Sequence, residues 1–413
     1  MELLAPGGNI EKLKTAYNYG ADAVYIGIGN FSLRRKADNF HGNEYEEIAA
    51  IKSDKKLYGA VNVYFHENDI KALEESIEYL SRYPLDGFIV SDLGIVRLLQ
   101  KYFPAIPLHL STQANCINCE SARIYNELGF SRIIVGRETS LDEIAAIKAK
   151  LPALEIECFV HGAMCLAYSG RCFLSRYMAG RSANEGSCTH SCRWDYRLEE
   201  QKRPGEFFPV ETGEGFTSIL SSKDLCMIDH LKELQTAGVD AVKIEGRMKS
   251  VYYTAIVTRA YRKHLDALAQ DESGSGKTSR VSSEDLAFYR EELFKVSHRE
   301  FSTGFFFGKE EMDETTKKKY LQSHIFLGTV GKGIGKNRFE FEPKNKIIPG
   351  EELEFIGPDV PLLKTAKYNL RNELDETVSE VNNANKYVFE TEIPLQEGYI
   401  VRRLPHEEEV AGE

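Results

Sequence analysis

Gly20-Ala-Asp-Ala-Val-Tyr-Ile-Gly27 and, two hundred residues later, Gly238-Val-Asp-Ala-Val-Lys-Ile-Glu245 are one pattern used twice. In each, a glycine suited to ending a helix is followed almost at once by a short β-branched run that reads as a buried strand. Outward from these two, similar runs that end in Gly, Asp, Ser, Thr or Asn recur at 2–5, 57–62, 87–92, 108–112, 132–136 and 156–160. Stretches with helical periodicity, such as 9–19, 70–82, 119–128 and 141–150, lie between them. Strand–helix alternation sustained over this length predicts a parallel sheet closed as a TIM-like (β/α)8 barrel. A further candidate strand at 217–222 leaves one more run than the barrel needs. A doubly wound open sheet is the alternative, but no Gly-x-Gly-x-x-Gly follows the first strand, only Pro6-Gly-Gly8.

The organisation predicted is a barrel over 1–270 with a cysteine-rich insertion at 162–226. A linker at 271–282, rich in Gly and Ser, leads to a helical connector at 283–322. Short alternating runs over 323–405 then predict a small C-terminal β-barrel domain, and 406–413 is an acidic tail. The chain of 413 residues carries a net charge of −11, which argues against general nucleic-acid binding but not against a local basic patch. The opening Met-Glu-Leu-Leu-Ala-Pro-Gly-Gly has no basic or apolar leader, and no apolar run matches a bilayer. A cytoplasmic location is therefore expected, where thiols stay reduced.

Reduced thiols make the eight cysteines informative, because five of them follow one another as Cys165-x6-Cys172-x15-Cys188-x3-Cys192-x33-Cys226. The segment leaves the carboxyl end of a predicted barrel strand, the end at which such barrels carry their active sites. Four thiolates suit an iron–sulfur cluster or a tetrahedral zinc ion, and the spacing matches no compact ferredoxin pattern. Single cysteines are also often just small buried residues. Cys116, Cys119 and Cys158 fit that description. His161, at a strand end, is a candidate proton carrier or a packed core histidine. Arg137, Arg171, Arg193 and Arg247, with Arg34 and Arg35 behind them, would suit a multiply charged carboxylate or phosphate through two-pronged contacts.

The run Glu157-x-Phe-x-x-Gly-Ala-x-Cys165, then Gly170-x-Cys-x-x-Ser175, resembles the collagenase-like peptidase family U32. Cys192-Arg-Trp-x-Tyr196, Ser222-Lys-Asp-Leu-Cys226, Lys243-Ile-Glu-Gly-Arg247, Glu2-Leu-Leu-Ala-Pro-Gly-Gly8 and Arg299-Glu-Phe-Ser-Thr-Gly-Phe305 resemble it too, so the likeness spans nearly the whole chain. The resemblance implies RNA hydroxylation more than proteolysis. Members make 5-hydroxyuridine at the wobble position of tRNA or 5-hydroxycytidine in ribosomal RNA, and a related pair hydroxylates a ubiquinone precursor. It implies a 4Fe-4S cluster held by Cys165, Cys172, Cys188 and Cys226, with Cys192 as the substitute ligand, and prephenate as the hydroxyl donor. On that reading Arg137, Arg171 and Arg193 would hold the donor's carboxylates and His161 would carry the proton. The tRNA anticodon arm would be the partner, gripped by the C-terminal domain at Gly331-Lys-Gly-Ile-Gly-Lys-Asn-Arg338, Lys344, Lys346 and Lys317–Lys319. The resemblance also leaves room for a partner subunit of the same family. A peptidase, which needs a thiolate with a histidine base or an open zinc site, stays open as an alternative. So does a non-catalytic RNA-binding protein with a structural metal.

Overall fold

A computed structural model describes residues 1–33, 38–165, 167–194, 198–199, 201–202, 207–208, 222–273, 282–308, 320–381, 383 and 385–406. Eight parallel strands close on themselves: Glu2–Gly7, Ala23–Gly27, Lys56–Val61, Gly87–Val90, Leu108–Leu110, Phe130–Ile134, Glu155–Ala163 and Ala241–Ile244. The last pairs with both the first and the seventh, so no barrel edge is left open. All eight were legible as short β-branched runs. The candidate at 217–222 falls almost wholly outside the described residues. Beside it, Asp224–Cys226 forms a strand that pairs antiparallel with the end of the seventh barrel strand.

Helices cap well where the sequence supplies caps. Asn9 accepts from the Lys12 amide at the start of Ile10–Asn18, and Ser140 and Glu143 form a capping box before Leu141–Lys150. The long helix Val251–Ser273 follows the closing strand and packs on the outside of the barrel against Ile10–Asn18 and Ser283–Glu292.

The lower barrel interior is not the purely branched-aliphatic filling common in this architecture. Arg132 donates to Glu2 at 2.6 Å, to Glu155 at 2.8 Å and to Glu157 at 3.1 Å, and Lys243 donates to the other Glu157 oxygen at 2.8 Å. Arg132, Glu157 and Lys243 are all buried. Burial alone would raise the Glu2 carboxyl, yet Arg132 and Lys56 hold it down at about 2.

Beyond the connector, seven antiparallel strands make a curled sheet in the order 363–365, 353–356, 400–403, 325–335, 338–343, 387–390, 369–371. It has its own core around Phe341, Phe355 and Phe389. The sheet docks on the outer barrel helices. Tyr19 donates to Ile356 O at 2.7 Å, and Arg259 donates to the carbonyls of Gly357, Val360 and Pro361. The buried Arg402 grips Glu292 through two nitrogens at 2.7 and 3.0 Å, and bonds Glu354 at 2.8 Å. Among the described residues no helix is long and apolar enough to cross a membrane.

Candidate functional site

The carboxyl ends of the barrel strands converge on a small cavity of about 50 Å³ walled by Asn62, Gln113, Arg137, Lys243, Glu245 and Arg247. A second cavity of about 110 Å³ lies beside it, and Leu33, Gln113 and Arg137 line both. Its other wall is the segment that follows the seventh strand: Cys165, Cys172, Cys188 and Cys192 all face this space, with His190 and Arg193.

That segment is pinned by groups the sequence pattern did not single out. Glu138 accepts from both the amide and the hydroxyl of Ser169, at 3.2 and 3.1 Å. The Tyr64 hydroxyl donates to Gln113 O and Gly170 O, tying the cysteine segment to two barrel loops. Gly170 sits at φ +71° against Gln113, whose carbonyl oxygen a Cβ would meet at 2.0 Å. Only glycine permits that approach. Two residues on, Cys172 is thereby aimed at the cavity, and its carbonyl accepts from Asn184 at 3.2 Å. The His190 amide donates to the Cys188 sulfur at 3.4 Å.

Arg137 joins the two cavities. Its side chain is nearly buried, lies 4.1 Å from the Phe159 ring centre, and reaches Cys165 Sγ at 4.0 Å and Glu245 at 3.9 Å. Arg193 enters the thiol cavity from the other side, donating to the Tyr320 hydroxyl at 2.6 Å and to Met164 O at 3.2 Å. Arg247 donates to Ser32 Oγ at 2.6 Å and stays in the barrel mouth. Arg171 goes elsewhere: it is exposed, lines neither cavity, and acts electrostatically on Tyr64 and Tyr125. Arg34, Arg35 and Lys317–Lys319 lie outside the described residues.

Two more of the expected site residues lie outside both cavities. Cys226 does not face the thiol cavity; it sits on the added strand opposite His161, and burial pushes its thiol up to about 11. Its neighbour there is the Tyr261 hydroxyl. Cys192 takes the place in the cavity, where burial raises its thiol and Cys165, Cys188 and Cys172 act on it. His161 also misses the site. The register with the closing strand steps from Lys243–Phe159 to Ile244–His161, so the seventh strand holds one extra residue there. Such a bulge breaks the alternation of inward and outward side chains. Glu157 and Phe159 turn inward, whereas His161 packs among Tyr253, Tyr261 and Phe301. Burial drives its pKa down to about 3, and Nε2 finds no hydrogen-bond partner among the described residues. Its packing is that of a buried neutral ring set away from the mouth.

All eight cysteines are free thiols. Among the described residues no group of three or more His, Cys, Asp or Glu side chains is placed to hold a metal ion. The donor set nonetheless suits a thiolate-held group: four soft sulfurs border one cavity, and two arginines reach the same space to offset their charge. Cys116 and Cys119 form no pair; Cys116 is buried, and Cys119 Sγ accepts from Lys150 at 3.2 Å. In the basic stretch of the C-terminal domain Arg338 pairs with Asp375, Lys344 with Glu342 and Lys346 with Glu380, while Lys332 and Lys336 are exposed and meet no carboxylate among the described residues.

Comparison with known proteins agrees with this architecture. "tRNA hydroxylation protein P1" of Bacillus subtilis is 38% identical over 87% of this chain and 84% of its own length. The "23S rRNA 5-hydroxycytidine C2501 synthase" of Escherichia coli is 35% identical over 92% of this chain and 61% of its own. A protein named "Collagenase" from Porphyromonas gingivalis is 30% identical over 96% of this chain and 95% of its own. Peptidase family U32 matches residues 8–316, and its C-terminal domain matches 322–402. The two matches take in the barrel from its second strand onward, the cysteine segment and all but the last residue of the curled sheet, and the chain belongs to peptidase family U32.

Proposed function

We propose that this protein is an RNA hydroxylase that converts the wobble uridine of tRNA to 5-hydroxyuridine. The carrying observation is the adjacency of the two cavities: a thiol-lined chamber lies beside the polar mouth of the barrel, and Arg137 lines both. Relatives named for tRNA and ribosomal RNA hydroxylation support this over proteolysis.

In this reading Cys165, Cys172, Cys188 and Cys192 would hold a 4Fe-4S cluster. With four cysteine ligands it would supply electron transfer and leave no iron coordination site open. Arg137 and Arg193 would bind the carboxylates of a dianionic hydroxyl donor, prephenate, while Lys243, Glu245 and Arg247 shape the mouth that receives the base. The target nucleotide would be turned out of its stack to enter it. Arg171 is not in the proposed donor site.

Nucleoside mass analysis of tRNA from a strain lacking this gene tests the activity. Loss of 5-hydroxyuridine, restored by the wild-type gene but not by Cys165→Ser, is the expected result. Unchanged 5-hydroxyuridine in a strain with no second family member would refute it. Absorbance near 400 nm with iron and sulfide in anaerobically purified protein tests the cluster. Colourless, zinc-loaded protein would return the chain to a structural-metal role.

A further inference from the structure

The cysteine segment carries more than its thiols. Phe173 is 70% exposed, Tyr177 79% and Tyr168 59%, and Trp194 follows at the segment's end. Half of the exposed Phe, Tyr and Trp side chains among the described residues fall in this one stretch. Exposing rings of that size to water is unfavourable, and soluble proteins do not gather them without use. Phe173 and Tyr177 stand four residues apart at the helix Leu174–Ala179, with the Tyr177 amide donating to Phe173 O at 3.0 Å. Residues so spaced share one helix face.

Two further features narrow what this face meets. Residues 165–194 hold four arginines against a single acidic residue, Glu185, in a chain of net charge −11. Among the described residues no carboxylate pairs with Arg171, Arg176 or Arg181, unlike Arg338, Lys344 and Lys346 of the C-terminal domain. The face also borders the thiol cavity: Tyr168 lines it while remaining exposed, and Cys172 and Leu174, on either side of Phe173, line it as well. Aromatic rings interleaved with unpaired arginines at the rim of a cavity match the chemistry of single-stranded nucleic acid, whose bases stack and whose phosphates seek cations.

We infer that Tyr168, Phe173 and Tyr177, with Arg171, Arg176 and Arg181, form a stacking platform for the unpaired nucleotides that flank the target base. The inference rests on the RNA-hydroxylase reading and assigns loop recognition to the cysteine segment, not to the C-terminal domain. It gives Arg171 a role outside the donor site, on the phosphate backbone.

The test is fluorescence anisotropy of a labelled anticodon stem–loop RNA with the full-length holoprotein, alongside a fully paired RNA of equal length. Each of Phe173→Ala and Tyr177→Ala should weaken loop binding about tenfold, because base–aromatic stacking is of that order. Tyr177→Trp should retain affinity, and Tyr177→Leu, apolar but without a ring, should lose it. Binding to the paired RNA should change little. Both side chains are exposed, so melting temperature and iron content should stay at wild-type values and exclude misfolding. Wild-type affinity in the double alanine variant overturns the platform and leaves the hydroxylase reading standing. Failure of the wild-type protein to bind any loop RNA overturns both. A wild-type dimer that the double variant splits, with RNA affinity unchanged, assigns the face to a second copy of the chain and overturns the platform.

Discussion

Between Phe159 and His161 the seventh barrel strand carries one residue more than its neighbour, and that residue decides which side chains reach the chemistry. His161→Phe is therefore expected to leave hydroxylation near wild type, measured as 5-hydroxyuridine in complemented cells. Loss of activity with intact folding would restore His161 as a proton carrier. The same substitution should flatten the response to acid. His161 at about 3 and His298 at about 4 are both lowered by burial from an unfolded value of 6.5. As pH falls from 6.5, the unfolded chain takes up protons that the native rings refuse, so stability declines toward pH 4. Urea midpoints at pH 7 and pH 5 should show the wild type losing more stability than His161→Phe. The fourth thiol is decided at this scale too. Cys192→Ser should lower iron content and the absorbance near 400 nm, whereas Cys226→Ser should keep both. The reverse result would reinstate Cys226, the ligand implied by resemblance alone.

At the scale of elements, the cysteine segment depends on a glycine contact and the barrel on a buried charge network. Gly170→Ala forces a Cβ to within 2.0 Å of Gln113 O at a left-handed φ. The strain, of order 1–3 kcal/mol, falls on the loop and not on the barrel. Iron loading should drop while the thermal melt of the barrel stays nearly unchanged; an unaltered iron content would show that the loop tolerates the shift. Arg132→Ala should do the opposite. It strands the fully buried Glu157 with only Lys243, and breaking such a network costs about 3–5 kcal/mol. The denaturation midpoint should fall steeply, and a change under about 1 kcal/mol would mean the carboxylates are neutralised some other way. Neither device stood out in the linear pattern. Glu157 and Lys243 each interrupt an apolar run, a visible oddity, but their partnership requires that residues 86 apart in sequence stand on strands paired side by side.

At the scale of the molecule, Arg402 is the joint between barrel and curled sheet. It is fully buried, with Glu292 from the barrel's side and Glu354 from the sheet's, and Tyr252 also accepts from it at 2.8 Å. Arg402→Met should destabilise the docked state by about 3–5 kcal/mol, since it leaves two carboxylates without their shared cation. Limited proteolysis should accelerate if the two parts then separate; an unchanged digestion rate and melt would remove Arg402 from that role.

The sequence by itself determined the architecture and the neighbourhood of the chemistry. Alternating β-branched and helical periods specify strands buried on both faces under a layer of helices, and a run of thiols after a strand's carboxyl end must emerge at the barrel mouth. Only the tertiary structure decided which members of that neighbourhood meet. A bulge turned His161 away, the added strand carried Cys226 behind the mouth, and Arg171 swung onto the surface while Arg137 stayed at the junction of two cavities. Spacing along a chain limits how far apart two side chains can lie, but register and strand closure set where each one points.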